Sequence, residues 1–429
     1  MSAPGFTVDV FQNEYLPGRA RDVNAIVTVT SAGSAAGGSA SPARAAEIII
    51  VDCSGSMGEP MAKMAQAREA TAAAIDAIRD GVAFAVVAGN WRARLVYPKG
   101  RTLAIADAHT RQAAKGSLAR LNPGGGTAIG RWLLLACELF QTRDDTLRHA
   151  ILLTDGQNAQ FPGRLAAAIR QCEGHFRCDC RGVGTDWEVD ELRKISTALL
   201  GTVDIVPDPA GLAADFEAMM QASMAKEVAD VALRVWTPQH AAVRFVKQVA
   251  PAVEDLTGRC TRVTSQAGDY PAGAWGTESR DYHLCVEVEP GAVGQEMLAA
   301  RVSVILNMAS GPQTVGQGLV RAIWTDEEAL STQINRHVAH YTGQAELAEV
   351  IQGGLEARKA GDEDTATARL GRAVALAHES GNEDTARLLA NVVDVIDPAT
   401  GTVRLKAKVA DADEMALDTR STKTVRAGK

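Results

Sequence analysis

Two runs of apolar residues in this chain each end abruptly in an acidic, hydroxyl-bearing turn. Residues 48–51 (Ile-Ile-Ile-Val) precede the turn Asp-Cys-Ser-Gly-Ser, and residues 150–153 (Ala-Ile-Leu-Leu) precede Thr-Asp-Gly. Apolar runs of this length are typical of strands that are buried on both faces of a parallel sheet. Since open α/β sheets place their ligand sites beyond the C-terminal ends of such strands, the pattern predicts a parallel sheet with a polar site along one edge.

Three segments supply oxygen donors to this edge. The first turn offers Asp52, Ser54 and Ser56, a Gly-Gly-Gly-Thr loop offers Thr127, and the last turn offers Asp155. Carboxylates and hydroxyls are hard ligands of the kind that magnesium prefers. One short motif alone is weak evidence, but three that can meet at one edge indicate a divalent-cation site.

The motifs D-x-S-x-S, G-G-T and T-D-G, in this order, resemble the von Willebrand factor A (VWA) domain with its metal-ion-dependent adhesion site (MIDAS). The resemblance covers residues 44–220. It implies that a divalent cation, magnesium first with manganese and calcium as alternatives, is held partly through water. The ligands that it implies are Asp52, Ser54, Ser56, Thr127 and Asp155. It also implies that an acidic side chain of a partner protein fills the remaining coordination position.

Helix and strand patterns alternate through the same stretch, which predicts a Rossmann-like, doubly wound, mostly parallel sheet. The predicted fold class is therefore multidomain α/β plus β, with the VWA domain inserted in, or followed by, a β-sandwich. The predicted divisions are a β-hairpin belonging to the sandwich at 1–31, a flexible linker at 32–43, the VWA domain at 44–220, the β-sandwich at 225–325, a helical hairpin or bundle at 326–397 and a disordered tail at 398–429.

The predicted tail is polar, mixed in charge and rich in hydroxyl groups. Such a segment is accessible to a kinase, and the candidate phosphorylation sites are Thr419, Thr422 and Thr424. A phosphothreonine there would suit the arginine-lined site of a reader such as a forkhead-associated domain. A solvated tail without a function is the alternative.

Composition limits the functional classes. The net charge of −8 over 429 residues argues against a nucleic-acid surface. The sequence contains neither a membrane-spanning apolar run nor an export signal at its N-terminus. The seven cysteines form no even disulfide framework. These features predict a protein of the bacterial cytoplasm.

No known catalytic motif is present, so we expect no enzymatic activity. Glu59 is the only acidic side chain next to the metal motif that could act as a base, and we expect it to border the site instead. The pattern Cys172, His175, Cys178 and Cys180 has the ligand count of a zinc site. Cys178 and Cys180, however, lie in a predicted strand and share one face, so buried structural thiols are the alternative.

The predicted function is a non-catalytic, metal-dependent protein-binding scaffold in an intracellular bacterial signalling or assembly system. Its partners would include a protein that offers an acidic side chain, and a Ser/Thr kinase with a phosphothreonine reader. One alternative is the VWA partner subunit of an AAA+ ATPase of the MoxR or chelatase type. A second alternative, an extracellular adhesin, conflicts with the missing signal peptide.

Overall fold

A computed structural model describes residues 5–32, 45–143, 147–308 and 310–427. The chain divides into two compact units. A central unit spans residues 40–229, and an outer unit combines residues 1–39 with residues 230–429. Except for residue 32, the predicted linker at 32–43 lies outside the described residues.

Three strands precede the central unit: β1 (Phe6–Gln12), β2 (Tyr15–Pro17) and β3 (Asp22–Ser31). The strands of the central unit are β4 (Ala45–Asp52), β5 (Ala83–Gly89), β6 (Ala93–Tyr97), β7 (Ala104–Ile105), β8 (Leu147–Thr154), β9 (Arg177–Val183) and β10 (Val203–Val206). Its helices are α1 (Ala62–Ala77), α2 (Ala108–Ser117), α3 (Ile129–Phe140), α4 (Pro162–Cys172), α5 (Val189–Ala198) and α6 (Leu212–Met224).

The seven strands of the central unit form one sheet in the order β10-β9-β8-β4-β5-β6, with β7 also paired to β5. The pairs from β10 to β5 are parallel, whereas β6 and β7 run antiparallel to β5. Every residue of β4 and β5 is buried, because helices cover both faces of a parallel sheet. The predicted fold class is confirmed, and β4 lies at the point where the strand order reverses direction.

The outer unit continues with β11 (Val228–Trp236), β12 (Ala242–Ala250), β13 (Glu254–Asp255), β14 (Thr261–Arg262), β15 (Ala267–Trp275), β16 (Glu278–Glu287), β17 (Glu296–Met308) and β18 (Gly311–Thr325). Two sheets form, in the orders β1-β3-β16-β12-β13 and β14-β15-β11-β17-β18-β2. The first strands of the chain therefore pair with strands that follow the central unit, β3 with β16 and β2 with β18. Val8 and Val10 of β1 pack over Gly316 and Gly318 of β18, so the two sheets face each other.

Helices then complete the outer unit: α7 (Glu328–Ser331), α8 (Arg336–Lys359), α9 (Glu363–Glu379), α10 (Glu383–Val392) and, after the hairpin β19 (Val393–Asp397) and β20 (Thr402–Leu405), α11 (Asp411–Arg420). Leu347, Ile351, Leu370 and Leu389 form their shared core. Each of α8, α9 and α10 begins with an Asn or Asp side chain that accepts a hydrogen bond from a main-chain N–H of its first turn.

The prediction of a disordered tail at 398–429 is wrong for residues 398–427. Leu417 of α11 is fully buried in the helical core, and the segment after α11 lies beside the C-terminal end of β12 and the residues that follow it. The Thr424 hydroxyl donates to the Val249 carbonyl at 2.6 Å, and the Val253 N–H donates to the Thr422 carbonyl at 2.7 Å. The segment is ordered because Leu417 is buried and because the backbone after α11 bonds to residues 251–253, which follow β12.

The three proposed phosphorylation sites therefore lie in ordered structure. Thr419 is buried and donates its hydroxyl to the Met415 carbonyl at 2.8 Å, and Thr422 is half-buried. A kinase could reach the Thr419 hydroxyl only after α11 separates from the helical core. The premise of an accessible tail fails, and phosphorylation itself stays a prediction.

Candidate metal centre

The edge of the sheet at the C-terminal ends of β4 and β8 brings the acidic turns together. These strands are adjacent and parallel, and Val51 pairs in register with Leu153. Asp52 and Asp155 consequently emerge side by side, and both are fully buried. A short 3-10 helix, Gly55–Gly58, then carries Ser56 back over the strand ends.

Asp52 is held on both carboxylate oxygens. Oδ1 accepts the Ser54 N–H at 2.6 Å, and Oδ2 accepts the Thr154 hydroxyl at 2.5 Å. Burial raises the pKa of Asp52 to about 6, although these hydrogen bonds favour the ionised form and lower it. Because burial makes the ionised form of Asp52 unfavourable, a bound cation would stabilise that form strongly.

The three hydroxyls of the predicted site surround one point beside Gly156. The Ser54 and Ser56 hydroxyls are 3.0 Å apart, and Ser56 donates to Asp155 Oδ1 at 2.7 Å. A Cβ atom placed on Gly156 would lie 3.2 Å from the Ser56 oxygen, 3.3 Å from the Thr127 oxygen and 4.0 Å from the Ser54 oxygen. All five predicted ligands are thus brought together.

The Gly-rich loop is fastened to the first turn by its backbone. The Gly55 N–H donates to the Gly125 carbonyl at 2.8 Å, and the Gly124 N–H donates to the Cys53 carbonyl at 2.9 Å. Gly125 has a φ of +82°, which favours glycine. Because the loop is held at two points, Thr127 is positioned before any ligand arrives.

Lys63 is a component of this site that sequence reasoning missed. Its Nζ lies 2.6 Å from Asp155 Oδ2, and the two side chains are 8% and 0% exposed. Lys63 belongs to the buried face of α1, where Ala67, Ala70 and Ala74 follow it at helical spacing. A lysine on the apolar face of an Ala-rich helix was the available signal, because a buried ammonium requires a buried partner.

The residues present fit a hard divalent cation. Two carboxylates and three hydroxyls supply oxygen ligands only, and the absence of a side chain at Gly156 leaves space among the hydroxyls. Only two of the five predicted ligands are acidic. Among the described residues, no cluster of three His, Cys, Asp or Glu side chains suited to a metal occurs. Lys63 offsets one of the two negative charges, so a bound divalent cation would leave the centre with a net positive charge and favour an anionic partner.

The other side chains that the sequence offered, Glu59 and the candidate zinc ligands, do not join the five predicted metal ligands. Glu59 is exposed and contributes its main-chain N–H, which donates to the Ser56 carbonyl at 3.0 Å. Cys172, Cys178 and Cys180 are buried free thiols, whereas His175 is exposed on a turn. The cysteines therefore pack in the interior while the histidine faces solvent.

Comparison with known proteins agrees with this geometry. Residues 46–205 match the model of the von Willebrand factor type A domain, and residues 375–421 match that of the von Willebrand factor type A C-terminal domain. A search of curated proteins gave no match. No helix in the described parts of the chain is long and apolar enough to cross a membrane.

Solved structures extend the match to the whole chain. A von Willebrand factor type A protein from Catenulispora acidiphila is 54% identical, with 99% of this chain and 98% of that chain covered and a TM-score of 0.94. The ArnB paralog VWA2 from Sulfolobus acidocaldarius is 12% identical over 97% of both chains, with a TM-score of 0.58, and shares the fold. Proximal thread matrix protein 1 from the mussel byssus, whose structure has zinc in its MIDAS motif, is 23% identical over 43% of this chain and 46% of that chain, with a TM-score of 0.36.

Proposed function

This chain belongs to the von Willebrand factor type A family, and we propose that it is a non-catalytic scaffold that binds a partner protein through a divalent cation. Asp52, Ser54, Ser56, Thr127 and Asp155 would hold the cation, with magnesium as its first identity. The cation would supply an open coordination position to a Glu or Asp side chain of the partner. The chain itself orients the five ligands and excludes water from the two carboxylates.

The observation that carries the proposal is the convergence of three hydroxyls and two buried carboxylates around Gly156. The hydroxyl ligands are neutral, so the ligand set contributes only the two negative charges of Asp52 and Asp155. With Lys63 on Asp155, the loaded centre remains positive. A positive, water-accessible metal position in an acidic protein gives a directional bond to a carboxylate that long-range repulsion would otherwise oppose.

We place this binding in the bacterial cytoplasm, in a signalling or assembly system that includes a Ser/Thr kinase and a phosphothreonine reader. The cytoplasmic assignment is supported by cysteine usage, because the odd cysteine count has no paired spacing. The kinase link rests on the predicted phosphorylation of the tail threonines, and Thr419 and Thr424 lie in ordered structure.

Calorimetric titration with magnesium chloride tests the metal centre. Asp52→Ala removes a buried ligand, so we expect affinity to fall by about tenfold or more. Asp76→Ala is the matched control, because Asp76 lies on α1 and pairs with Lys115 in an exposed ion pair. Equal magnesium affinity in the wild type and Asp52→Ala, or equal losses in both variants, would refute the proposed ligand set.

A pull-down from lysate of the source cells tests the binding role. Wild-type protein in magnesium should retain a partner that is released by EDTA and is missing with Asp52→Ala. A partner that stays bound in EDTA and to Asp52→Ala would show that this centre does not capture it.

A further inference from the structure

The chain is acidic overall, but one continuous stretch beside the metal centre is strongly basic. Residues 81–137 contain eight Lys and Arg residues and a single acidic residue, Asp107. The stretch forms β5, β6, β7, α2 and most of α3, with the connecting loops. Charge of one sign is therefore concentrated at the end of the central sheet that β5 and β6 form.

Seven of the eight basic residues fall into two groups according to their partners, and the eighth, Lys99, follows the C-terminal end of β6. Arg101, Arg111 and Lys115 each pair with a carboxylate, at distances of 3.5, 2.6 and 2.7 Å. Within the described part of the chain, the arginines toward the metal edge form no ion pair with a carboxylate. These are Arg92, Arg94, Arg120 and Arg131, joined by Arg68 of α1, and we call the five the arginine collar.

Main-chain carbonyls orient three members of the collar. Arg68 donates to the Leu121 carbonyl at 2.6 Å, Arg94 donates to the Arg120 carbonyl at 3.0 Å, and Arg131 donates to the Trp91 carbonyl. A carbonyl bond fixes a guanidinium without neutralising its charge. Four of the five side chains are exposed, and Arg68 is half-buried.

The collar is continuous with the metal centre. The loop whose Leu121 carbonyl receives Arg68 leads directly to Gly124, which is bonded to Cys53 between Asp52 and Ser54. Trp91, in the turn between β5 and β6, packs against the same loop, since a Cβ atom on Gly126 would lie 2.6 Å from its ring. Its side chain is 48% exposed, so it offers an apolar surface between the arginines and Thr127.

We propose that the arginine collar and Trp91 form a docking surface for an acidic segment of a partner protein. One carboxylate of that segment would occupy the metal position, and the neighbouring carboxylates would pair with the collar. This inference rests on the proposed function and adds the composition of the partner: several acidic residues in sequence, with an apolar side chain against Trp91. Charge complementarity is the physical reason, because unpaired guanidinium groups bind carboxylates in a forked geometry.

A nucleic acid is the competing anion. The net charge of −8 repels a long polyanion over its whole length. A short acidic segment, by contrast, meets mainly the local positive field. The charge distribution therefore favours an acidic peptide.

The test measures binding of a fluorescein-labelled hexaglutamate peptide by anisotropy in magnesium chloride at low salt. The variant is the double reversal Arg92→Glu/Arg94→Glu, and the matched control is Lys99→Glu/Arg101→Glu, which makes the same charge change beyond the other end of β6. We expect peptide affinity to fall by about tenfold or more in the variant and less than about twofold in the control. Magnesium affinity from calorimetry should be within about twofold of the wild type in the variant, because no collar residue is a predicted ligand.

The outcomes separate the collar from the metal. If Asp52→Ala lowers peptide binding and the double reversal lowers it independently, both parts are supported. If only the double reversal lowers peptide affinity, the collar is supported and capture of the peptide by the metal is refuted. Equal peptide affinity in the variant and the control would overturn the docking surface, and so would tighter binding of labelled oligothymidylate than of hexaglutamate.

Discussion

Replacing Lys63 with methionine should destabilise the metal-free central unit strongly. Methionine keeps the apolar length of the side chain but removes the ammonium that lies 2.6 Å from Asp155 Oδ2. Asp155 is fully buried and would keep the hydrogen bond from Ser56 without a positive partner. At an effective dielectric constant of about 20, the lost attraction is about 6 kcal/mol in gross terms. Subtracting the cost of burying the ammonium leaves an expected loss of about 3–5 kcal/mol in the free energy of unfolding.

Magnesium should restore much of this loss. A divalent cation at the ligands would provide Asp155 with a positive neighbour that the methionine variant lacks, so added metal should stabilise the variant more than the wild type. Hydrogen exchange read by mass spectrometry measures the effect, because peptides from α1 and β8 report on the central unit separately from the outer one. The comparison is made in EDTA and in excess magnesium chloride.

Two further variants make the reasoning refutable. Lys115→Met removes an ammonium from the exposed pair with Asp76 and should cost less than about 1 kcal/mol. Lys63→Met/Asp155→Asn removes both charges and should be less destabilised in EDTA than Lys63→Met alone. If Lys63→Met costs no more than Lys115→Met, or if the double variant is the least stable, the buried pair does not have the energetic role assigned to it.

Two other predictions concern the same unit. Burial of the His149 side chain opposes its protonation. The carboxylates of Glu47 and Asp179, which contact its two ring nitrogens, have the larger opposite effect and raise the pKa of His149 from 6.5 to about 9. A raised pKa stabilises the folded state fully below pH 6.5, and about 3 kcal/mol should be lost as pH rises from 6.5 through 9. Urea denaturation from pH 6.5 to 9 should show this decrease in the free energy of unfolding for the wild type and not for His149→Gln. The same decrease in both proteins would contradict the prediction. Gly156→Ala should fold but bind magnesium about tenfold more weakly in calorimetry, because its Cβ would crowd Ser56 and Thr127, and unchanged affinity would disprove that crowding.

The convergence of the five predicted ligands could be anticipated from the sequence because four of them belong to short motifs at strand ends and Thr127 belongs to a Gly-rich loop. A parallel sheet then brings the motifs together without further information, since adjacent strand ends lie on one edge. Strands within 1–31 and 225–325 could be predicted because alternation and turn residues define them locally. The sequence pattern was sufficient for prediction wherever neighbouring residues alone determine the structure.

The missed features depend on contacts between distant residues. Lys63 and Asp155 are 92 residues apart, and Arg426 reaches Asp281 across 145. In the tail, Met415, Ala416 and Leu417 form one short apolar run in an otherwise polar, acidic helix, so its composition predicted disorder. The helical core to which Leu417 adds is formed by earlier helices, and the tail pattern contains no information about them.

The predicted end of the VWA domain at residue 220 shows the same limit. It falls within α6, Leu212–Met224, although Leu212, Phe216, Met219 and Met220 have helical spacing and are buried. Ser223, beyond that boundary, donates its hydroxyl to Glu47 at 2.6 Å, and Glu47 in turn holds His149. The last helix of the unit is thus bonded to the same central strand, β4, whose other end carries Asp52. Glu47, which contacts His149, lies near one end of β4, and Asp52 lies at the other. A truncation at residue 220 would therefore remove a support of the strand on which the metal centre depends.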